Sequence, residues 1–179
     1  VAAFRCSYDA LGNLTARTEG NATVAYLYHP AYPLPAPAME VRPENLQKSF
    51  VWTPWGTLLY AVDPEGNPEF YVFDREGNTR FITGADGQIL ASYAYDPRGL
   101  LTGSVETTPS PFTFAGKWGT LRGGPASALF WMRSRWYDGA TGRFLTPDPA
   151  WPDLGDFREL NPYAYARGNP LRYADPSGN

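Results

Sequence analysis

The sequence predicts an all-β protein built from antiparallel strands and hairpins. Glycine and proline occur 18 times each in 179 residues, and the longest stretch without either one, Ala126 to Asp138, has 13 residues. An average helix needs about 11–12 residues and a strand only about 5–6, so this spacing favours strands. Aromatic residues make up 16% of the chain, which is enough to form a packed core. A turn motif that recurs along the chain also indicates an all-β fold.

The recurring turn consists of Asp, two further residues and Gly, often after an aromatic residue. From residue 53 onward, successive turns begin 10, 11, 12 and 10 residues apart, which is the length of one strand plus one turn. Asp opens such a turn because its carboxylate accepts backbone N–H bonds, and Gly supplies the positive φ that ends it. We therefore predict positive φ at Gly77 and Gly99. Full copies of the turn are Asp9 to Gly12, Asp63 to Gly66, Asp74 to Gly77 and Asp96 to Gly99, with variants at Thr53 and Asp86.

Between the turns, residues alternate as they do in strands. In the stretch from residue 89 to 95, Ile89, Ala91, Tyr93 and Tyr95 fall on one face. Strands with one large aromatic face need a second layer or a curved, closed shell to cover that face.

The alternation breaks between residues 28 and 43. This stretch contains five prolines, and a regular strand ladder does not tolerate that density. We predict an extended surface loop over about 28–43. A proline-rich ligand for a partner domain is the functional alternative.

Charge and residue usage exclude several classes of function. The net charge of −3 argues against a nucleic-acid-binding protein, which usually carries a basic face. We predict no membrane span, since no apolar stretch approaches the required length of about 18–20 residues. Cys6 and His29 are the only residues of their types, so an internal disulfide and a thiolate metal cluster are excluded. We expect no metal and no cofactor.

The last third of the chain carries a different set of motifs, which occur in a fixed order. They are Phe112 to Gly116, Arg135 to Pro149, Asn161 to Tyr165 and Tyr173 to Gly178. With these motifs and the upstream turns, the chain resembles the YD-repeat (Rhs) family, and its end resembles the Rhs-associated core domain. We therefore divide the chain into YD-repeat strands over 1–110 and a core domain over 111–179.

The resemblance implies a fold and a set of partners. In this family the β-sheet spirals into a hollow shell around a C-terminal toxin or effector, and the core domain plugs one end. The implied partners are the remainder of the shell and the enclosed cargo, and the implied location is a bacterial cell surface or the secreted fraction. Because 179 residues are too few to close a shell, we expect open sheet edges and self-association or pairing with further shell strands.

The resemblance also implies a single-turnover aspartic autoprotease that cuts after the last Asp-Pro-x-Gly motif, which here places the cut after Asn179. Arg135 lies 13 residues before Asp148, the spacing of the family's arginine–aspartate pair. Asp148 would be the base for water, and Arg135 would hold that carboxylate or the oxyanion. Asp175 or Asp138 would be a second carboxylate that shares a proton.

Three alternatives remain open at the level of sequence. The aspartates can serve only as turn residues that cap backbone N–H groups. The chain can be a non-catalytic structural or adhesive module whose aromatic strands bind carbohydrate or a partner surface. Asn179 can also cleave the chain by attack of its side chain on its own carbonyl, with no enzyme-like site.

Overall fold

The structure, a computed structural model, describes residues 4–29, 35–124, 127–150, 152, 155–156, 158 and 160–179. It confirms the all-β fold. Ten antiparallel strands, β1 to β10, follow one another in chain order across a single sheet. They are Phe4–Tyr8, Leu14–Glu19, Ala22–Tyr28, Pro37–Val41, Gln47–Trp52, Leu58–Val62, Pro68–Phe73, Thr79–Thr83, Ile89–Tyr95 and Leu101–Glu106.

A second, smaller antiparallel sheet follows in the last third of the chain. Its strands β11 to β14 are Leu121–Arg122, Leu129–Met132, Arg135–Asp138 and Arg143–Phe144. The helical elements of the described residues are short 3₁₀ turns at Pro43–Asn45, Gly116–Trp118 and Ala166–Gly168. None of the helices in the described part of the chain has the length and apolar character needed to cross a membrane.

The turns of the large sheet form as the sequence predicts, except that the turn assigned to Asp86 begins at Gly84, whose carbonyl accepts the Gly87 N–H at 3.1 Å. In the turn after β7, the Asp74 carbonyl accepts the Gly77 N–H at 3.1 Å, and the φ of Gly77 is +86°. The Asp74 carboxylate accepts two further bonds, from the Asn78 backbone N–H at 2.8 Å and from the Asn78 side-chain amide at 3.0 Å. The same pair of hydrogen bonds, from the backbone N–H and the side-chain amide of the Asn four residues later, recurs at Asp9 and Asp63. In three of the four full copies the turn motif therefore includes one more residue than the sequence suggested, this Asn, whereas Leu100 follows Gly99.

The predicted loop over 28–43 is too long at both ends, and residues 30–34 of it lie outside the described residues. Tyr28 is the last residue of β3, and Pro37–Val41 forms β4, which pairs with both β3 and β5. Pro37 is tolerated because it is the first residue of its strand and pairs with Tyr28 where the register shifts. The proline-rich stretch therefore leads into β4, and its prolines do not prevent a strand from forming at Pro37–Val41.

The last third of the chain packs against one face of the large sheet. Phe112 is fully buried, and its ring lies edge-on to Phe50 and Trp52, with centroid distances of 4.7 and 5.3 Å. Backbone bonds hold the same segment, because Thr79 in β8 donates its N–H to the Thr113 carbonyl at 2.9 Å. The sheet thus supplies one wall of a core whose other wall comes from residues after 110.

A second aromatic cluster lies inside the last third and supports the small sheet. Tyr137 of β13 is fully buried among Phe114, Phe130, Phe144 and Tyr165, and its ring centroid lies 4.6 Å from that of Tyr165. Because β13 is packed on this cluster, the residues at its start are held rigidly. The candidate catalytic arginine is the first residue of this strand.

We expect the Gly99→Ala substitution to destabilise the protein more than Gly66→Ala does. Both glycines have left-handed φ, +88° and +91°, so either alanine costs about 1–2 kcal/mol in backbone strain. A Cβ at Gly99 would also lie 2.5 Å from the buried Phe114 ring, whereas nothing lies within 4 Å of one at Gly66. This overlap adds about 1–3 kcal/mol. Urea unfolding of both variants measures the difference, and equal free energies of unfolding would contradict the packing of the core on this turn.

Candidate active site

The hairpin between β12 and β13 places the candidate arginine beside both predicted carboxylates. Met132 and Arg135 are cross-strand partners on either side of a tight turn at Arg133 and Ser134. The side chain of Arg135 is only 2% exposed, and its guanidinium carbon lies 3.6 Å from the centre of the Phe144 ring. A planar guanidinium suits this position because one face can stack on the Phe144 ring while the N–H groups at its edge still donate hydrogen bonds.

Arg135 donates to three chain segments at once. Its Nη2 lies 2.7 Å from Asp148 Oδ2 and 3.7 Å from Asp175 Oδ2. Its Nη1 donates to the Pro162 carbonyl at 2.9 Å, and its Nε donates to the Gly178 carbonyl. Burial lowers the pKa of Arg135, and the charges of Asp148 and Asp175 oppose that effect. The arginine therefore joins both predicted carboxylates to the backbone just before the predicted cleavage position.

Asp148 is the more exposed of the two carboxylates. Its side chain is 23% exposed, against 10% for Asp175. Its Oδ1 accepts the Ala150 N–H at 2.9 Å, and its own N–H donates to the Pro162 carbonyl at 2.9 Å. This bond to Ala150 forms although the sequence has Trp151, which lies outside the described residues, where the Asp-Pro-x-Gly motif has glycine. A fixed carboxylate with one side open to solvent has the properties of a general base for water.

Asp175 organises the segment that ends at Asn179. Its Oδ1 accepts the Gly178 N–H at 2.8 Å, the Ser177 hydroxyl at 3.1 Å and the Asn179 N–H at 3.2 Å. Burial raises the pKa of Asp175 above its ordinary value, although these hydrogen bonds and Arg135 lower it in part. Asp175 therefore holds its proton to a higher pH than an ordinary carboxyl group does.

We expect the stabilising effect of Asp175, measured against Asp175→Asn, to fall as pH rises. Between the ordinary carboxyl pKa and the raised one, the unfolded chain has already released a proton that the folded chain retains, so raising the pH favours unfolding. The stability difference between the two proteins should fall from ~pH 4 upward and level off above the raised pKa. Urea unfolding across this range provides the measurement.

Asp9→Asn is the matched control for this pH dependence. The hydrogen bond from the Asn13 side chain lowers the pKa of Asp9, so the stability lost in Asp9→Asn should increase with rising pH. If both differences follow pH in the same direction, the assignment of a raised pKa to Asp175 is wrong.

A cavity of about 740 Å³ opens beside the two carboxylates. Asp148, Asp175 and Asn179 line one part of it, and Tyr173 and Leu160 line another. A cavity of this size has room for several water molecules, and its carboxylates provide hydrogen-bond partners for them. The cavity therefore offers water access to the carboxylates at the end of the described chain.

Asp138 does not join this cluster. Its Oδ1 accepts the Ala140 N–H and its Oδ2 accepts the Thr141 hydroxyl, both at 2.9 Å, so it caps the turn between β13 and β14. Of the two carboxylates that the sequence offered as a partner of Asp148, the structure brings only Asp175 to Arg135. The described residues also contain no group of three or more His, Cys, Asp or Glu side chains placed to hold a metal ion.

Several residues at the site escaped the sequence analysis. Ser134 Oγ lies 2.6 Å from the Gly178 carbonyl and 2.8 Å from Asn179 Oδ1. Pro162 supplies a carbonyl to both Arg135 and Asp148. For Ser134, the only signal in the sequence was its position next to Arg135. Pro162 gave no signal, because every residue has a backbone carbonyl that can accept a hydrogen bond.

Comparison with known proteins identifies the family. The model of the family Teneurin YD-shell matches residues 2–171, which include Arg135 and Asp148 but not Asp175 or Asn179. The tRNA3(Ser)-specific nuclease WapA of Bacillus spizizenii and the tRNA nuclease WapA of Bacillus subtilis are each 28% identical over 180 residues. These alignments cover 96% of this chain and 7% of either relative.

Solved structures share the fold over nearly the whole chain. The crystal structure of TcdB2-TccC3 superimposes with a TM-score of 0.74 at 21% identity, and covers 98% of this chain and 9% of the compared chain. The Tc holotoxin pore of Photorhabdus luminescens gives a TM-score of 0.72 at 20% identity, with the same coverage of 98% and 9%. The chain thus spans less than a tenth of the relatives it matches. By the match over residues 2–171 and the shared fold, the chain belongs to the YD-repeat (Rhs) family, as a stretch of its YD-shell.

Proposed function

We propose that this chain is a fragment of a YD-shell that encloses a C-terminal toxin or effector and releases it by self-cleavage after Asn179. The observation that carries the proposal is the convergence on Arg135. One buried guanidinium binds Asp148, lies 3.7 Å from Asp175 and holds the Gly178 carbonyl, one residue before the proposed cut. A set of turn-capping aspartates alone gives no reason for a buried arginine to join them to this segment.

The proposed reaction is hydrolysis of the peptide bond that follows Asn179. Asp148 takes a proton from water while the water oxygen bonds to the Asn179 carbonyl carbon. The C–N bond then breaks, and the departing amine takes its proton from Asp175, the carboxyl group with the raised pKa. Arg135 orients Asp148 and the substrate segment. Because substrate and catalyst belong to one chain, positioning supplies up to about 7–11 kcal/mol of the barrier.

The proposed cargo is a toxin or effector, and the proposed location of the chain is the bacterial cell surface or the secreted fraction. Both similar Bacillus proteins are named tRNA nucleases, and the chain matches 7% of their length. Further shell strands are the second proposed partner. In the described sheet, β1 and β10 each pair on one side only, and such edges accept additional strands.

The test is a fusion of this chain, after Asn179, to a small folded reporter domain. We expect the purified fusion to cut itself at that junction, as shown by gel electrophoresis and intact mass. Asn179→Ala should still be cut, because the mechanism does not use the Asn179 side chain. Cleavage that Asn179→Ala abolishes would indicate asparagine cyclisation instead. If the wild-type fusion is folded but stays uncut, the self-cleavage proposal is wrong, and the chain is a non-catalytic structural or adhesive module.

A further inference from the structure

Arg133 has a strained backbone conformation and lies two residues before Arg135. It lies at the turn between β12 and β13 with φ of +59°, in the left-handed region that residues other than glycine rarely adopt. The next residue, Ser134, closes the turn by donating its N–H to the Met132 carbonyl at 2.6 Å. The turn directs Arg133 away from Arg135 and toward other chain segments.

The guanidinium of Arg133 binds backbone carbonyls from three separate segments. Its Nε donates to the Pro35 carbonyl at 2.9 Å, just before β4 of the large sheet. Its Nη2 donates to the Trp118 carbonyl, in the 3₁₀ turn Gly116–Trp118. Its Nη1 donates to the Pro176 carbonyl, three residues before the proposed cut. One side chain thus links the large sheet, the start of the last third and the substrate segment.

The bonds of Arg133 suit a residue that positions the chain rather than one that reacts. Burial lowers its pKa to about 10, with partial compensation from Tyr28 and Asp175, so the guanidinium stays charged at neutral pH. A charged donor bonded to neutral carbonyls forms strong, directional hydrogen bonds. Neither Asp148 nor the Gly178 carbonyl is among its bonding partners, so its effect on the reaction passes through the position of the segment.

Three consecutive residues of the hairpin therefore hold two carbonyls of the substrate segment. Arg133 binds the Pro176 carbonyl, whereas Ser134 and Arg135 both reach the Gly178 carbonyl. All three contacts are made to backbone oxygens, so they do not depend on the side chains of the segment. A hydroxyl has one proton to donate, so Ser134 cannot replace Arg133 as a second anchor while it is bonded to Gly178.

We propose that Arg133 is a positioning residue that clamps residues 176–179 onto the large sheet and thereby couples self-cleavage to the docking of the last third of the chain. This inference rests on the proposed function for its link to cleavage. The clamp closes only when the carbonyls of Pro35, Trp118 and Pro176 are all in place. A chain whose last third has not yet docked on the sheet lacks one or two of these anchors and presents no fixed peptide to Asp148.

The test uses Arg133→Gly, since glycine accepts the φ of +59° and removes only the side chain. In the reporter fusion, we expect cleavage to slow by about 10- to 100-fold, the usual cost of misplacing reacting groups by about 1 Å. Ethylguanidinium, which replaces the missing group, should restore a large part of the rate at concentrations that leave the protein folded. The same compound should restore no cleavage to Asp148→Asn, because that variant lacks the base itself.

A second measurement judges the clamp without any cleavage. In the chain that ends at Asn179, hydrogen–deuterium exchange of the C-terminal peptide reports on the Gly178 and Asn179 amides, which donate to Asp175. We expect Arg133→Gly to speed this exchange at least tenfold while strands β5 to β9 keep their protection. Unchanged exchange, or wild-type cleavage by Arg133→Gly, overturns the clamp. If the wild-type fusion is uncut, the proposed function fails, and exchange alone decides whether the clamp exists.

Discussion

The Asp148→Asn substitution is expected to leave the reporter fusion uncut and folded. Asn keeps the size of the side chain, but it has one oxygen in place of the two that accept from Ala150 and Arg135, and it cannot take a proton from water. Loss of a general base slows a reaction by about 10²–10⁴-fold. Over an incubation in which the wild-type fusion is fully cut, the variant should therefore remain almost whole. Intact mass gives the cut fraction, and urea unfolding verifies the fold.

Asp138→Asn is the matched control for this experiment. Asp138 lies on the same small sheet, and its carboxylate caps a turn without contacting Arg135. The same chemical change there should leave the cleavage rate within about twofold of wild type, since turn caps of this kind affect mainly stability. A fusion that loses cleavage equally with either variant would show that folding of the region, rather than the base, limits the reaction.

Much of the fold could be predicted from the sequence because its turns require particular residue types. Few residue types accept the turn's N–H bonds through a short polar side chain, as Asp74 and Thr53 do, and Gly takes the turn's positive φ without strain, so the turns can be located from residue type. The β4 strand was missed because prolines normally interrupt ladders, and Pro37 is tolerated only by its place at the start of a strand. Whether Pro37 begins a strand depends on its pairing with β3, and the residues around Pro37 do not reveal that pairing.

The site was accessible in part for the same reason. Arg135, Asp148 and Asp175 carry charge and occur in recognisable motifs, so sequence could name them. Sequence could not choose between Asp138 and Asp175 as the partner carboxylate, because the choice depends on how β13 and the C-terminal segment meet in space. The contacts of Arg133 were hidden for another reason, since its partners are backbone carbonyls that any residue possesses.

Gly178 is the position where backbone geometry limits the proposed reaction most strongly. Its φ is +76°, and a Cβ there would overlap the Met132 carbonyl of the β12 strand. The clash involves backbone rather than the flexible end of a side chain, so the chain itself would have to move. Such a move displaces the Gly178 carbonyl from Arg135 and shifts the neighbouring Asn179, whose N–H donates to Asp175.

We therefore expect Gly178→Ala to slow cleavage of the reporter fusion by about 10²-fold, since displacement of the reacting bond by about 1 Å has an effect of that size. Gly168→Ala is the matched control, because Gly168 has a similar φ of +73° but nothing within 4 Å of its Cβ position. Both variants carry the same left-handed strain, so both should lose about 1–2 kcal/mol of stability from that source. Only Gly178→Ala should lose cleavage. Near-wild-type cleavage by Gly178→Ala would mean that the peptide bond after Asn179 is not held by this hairpin when it is cut.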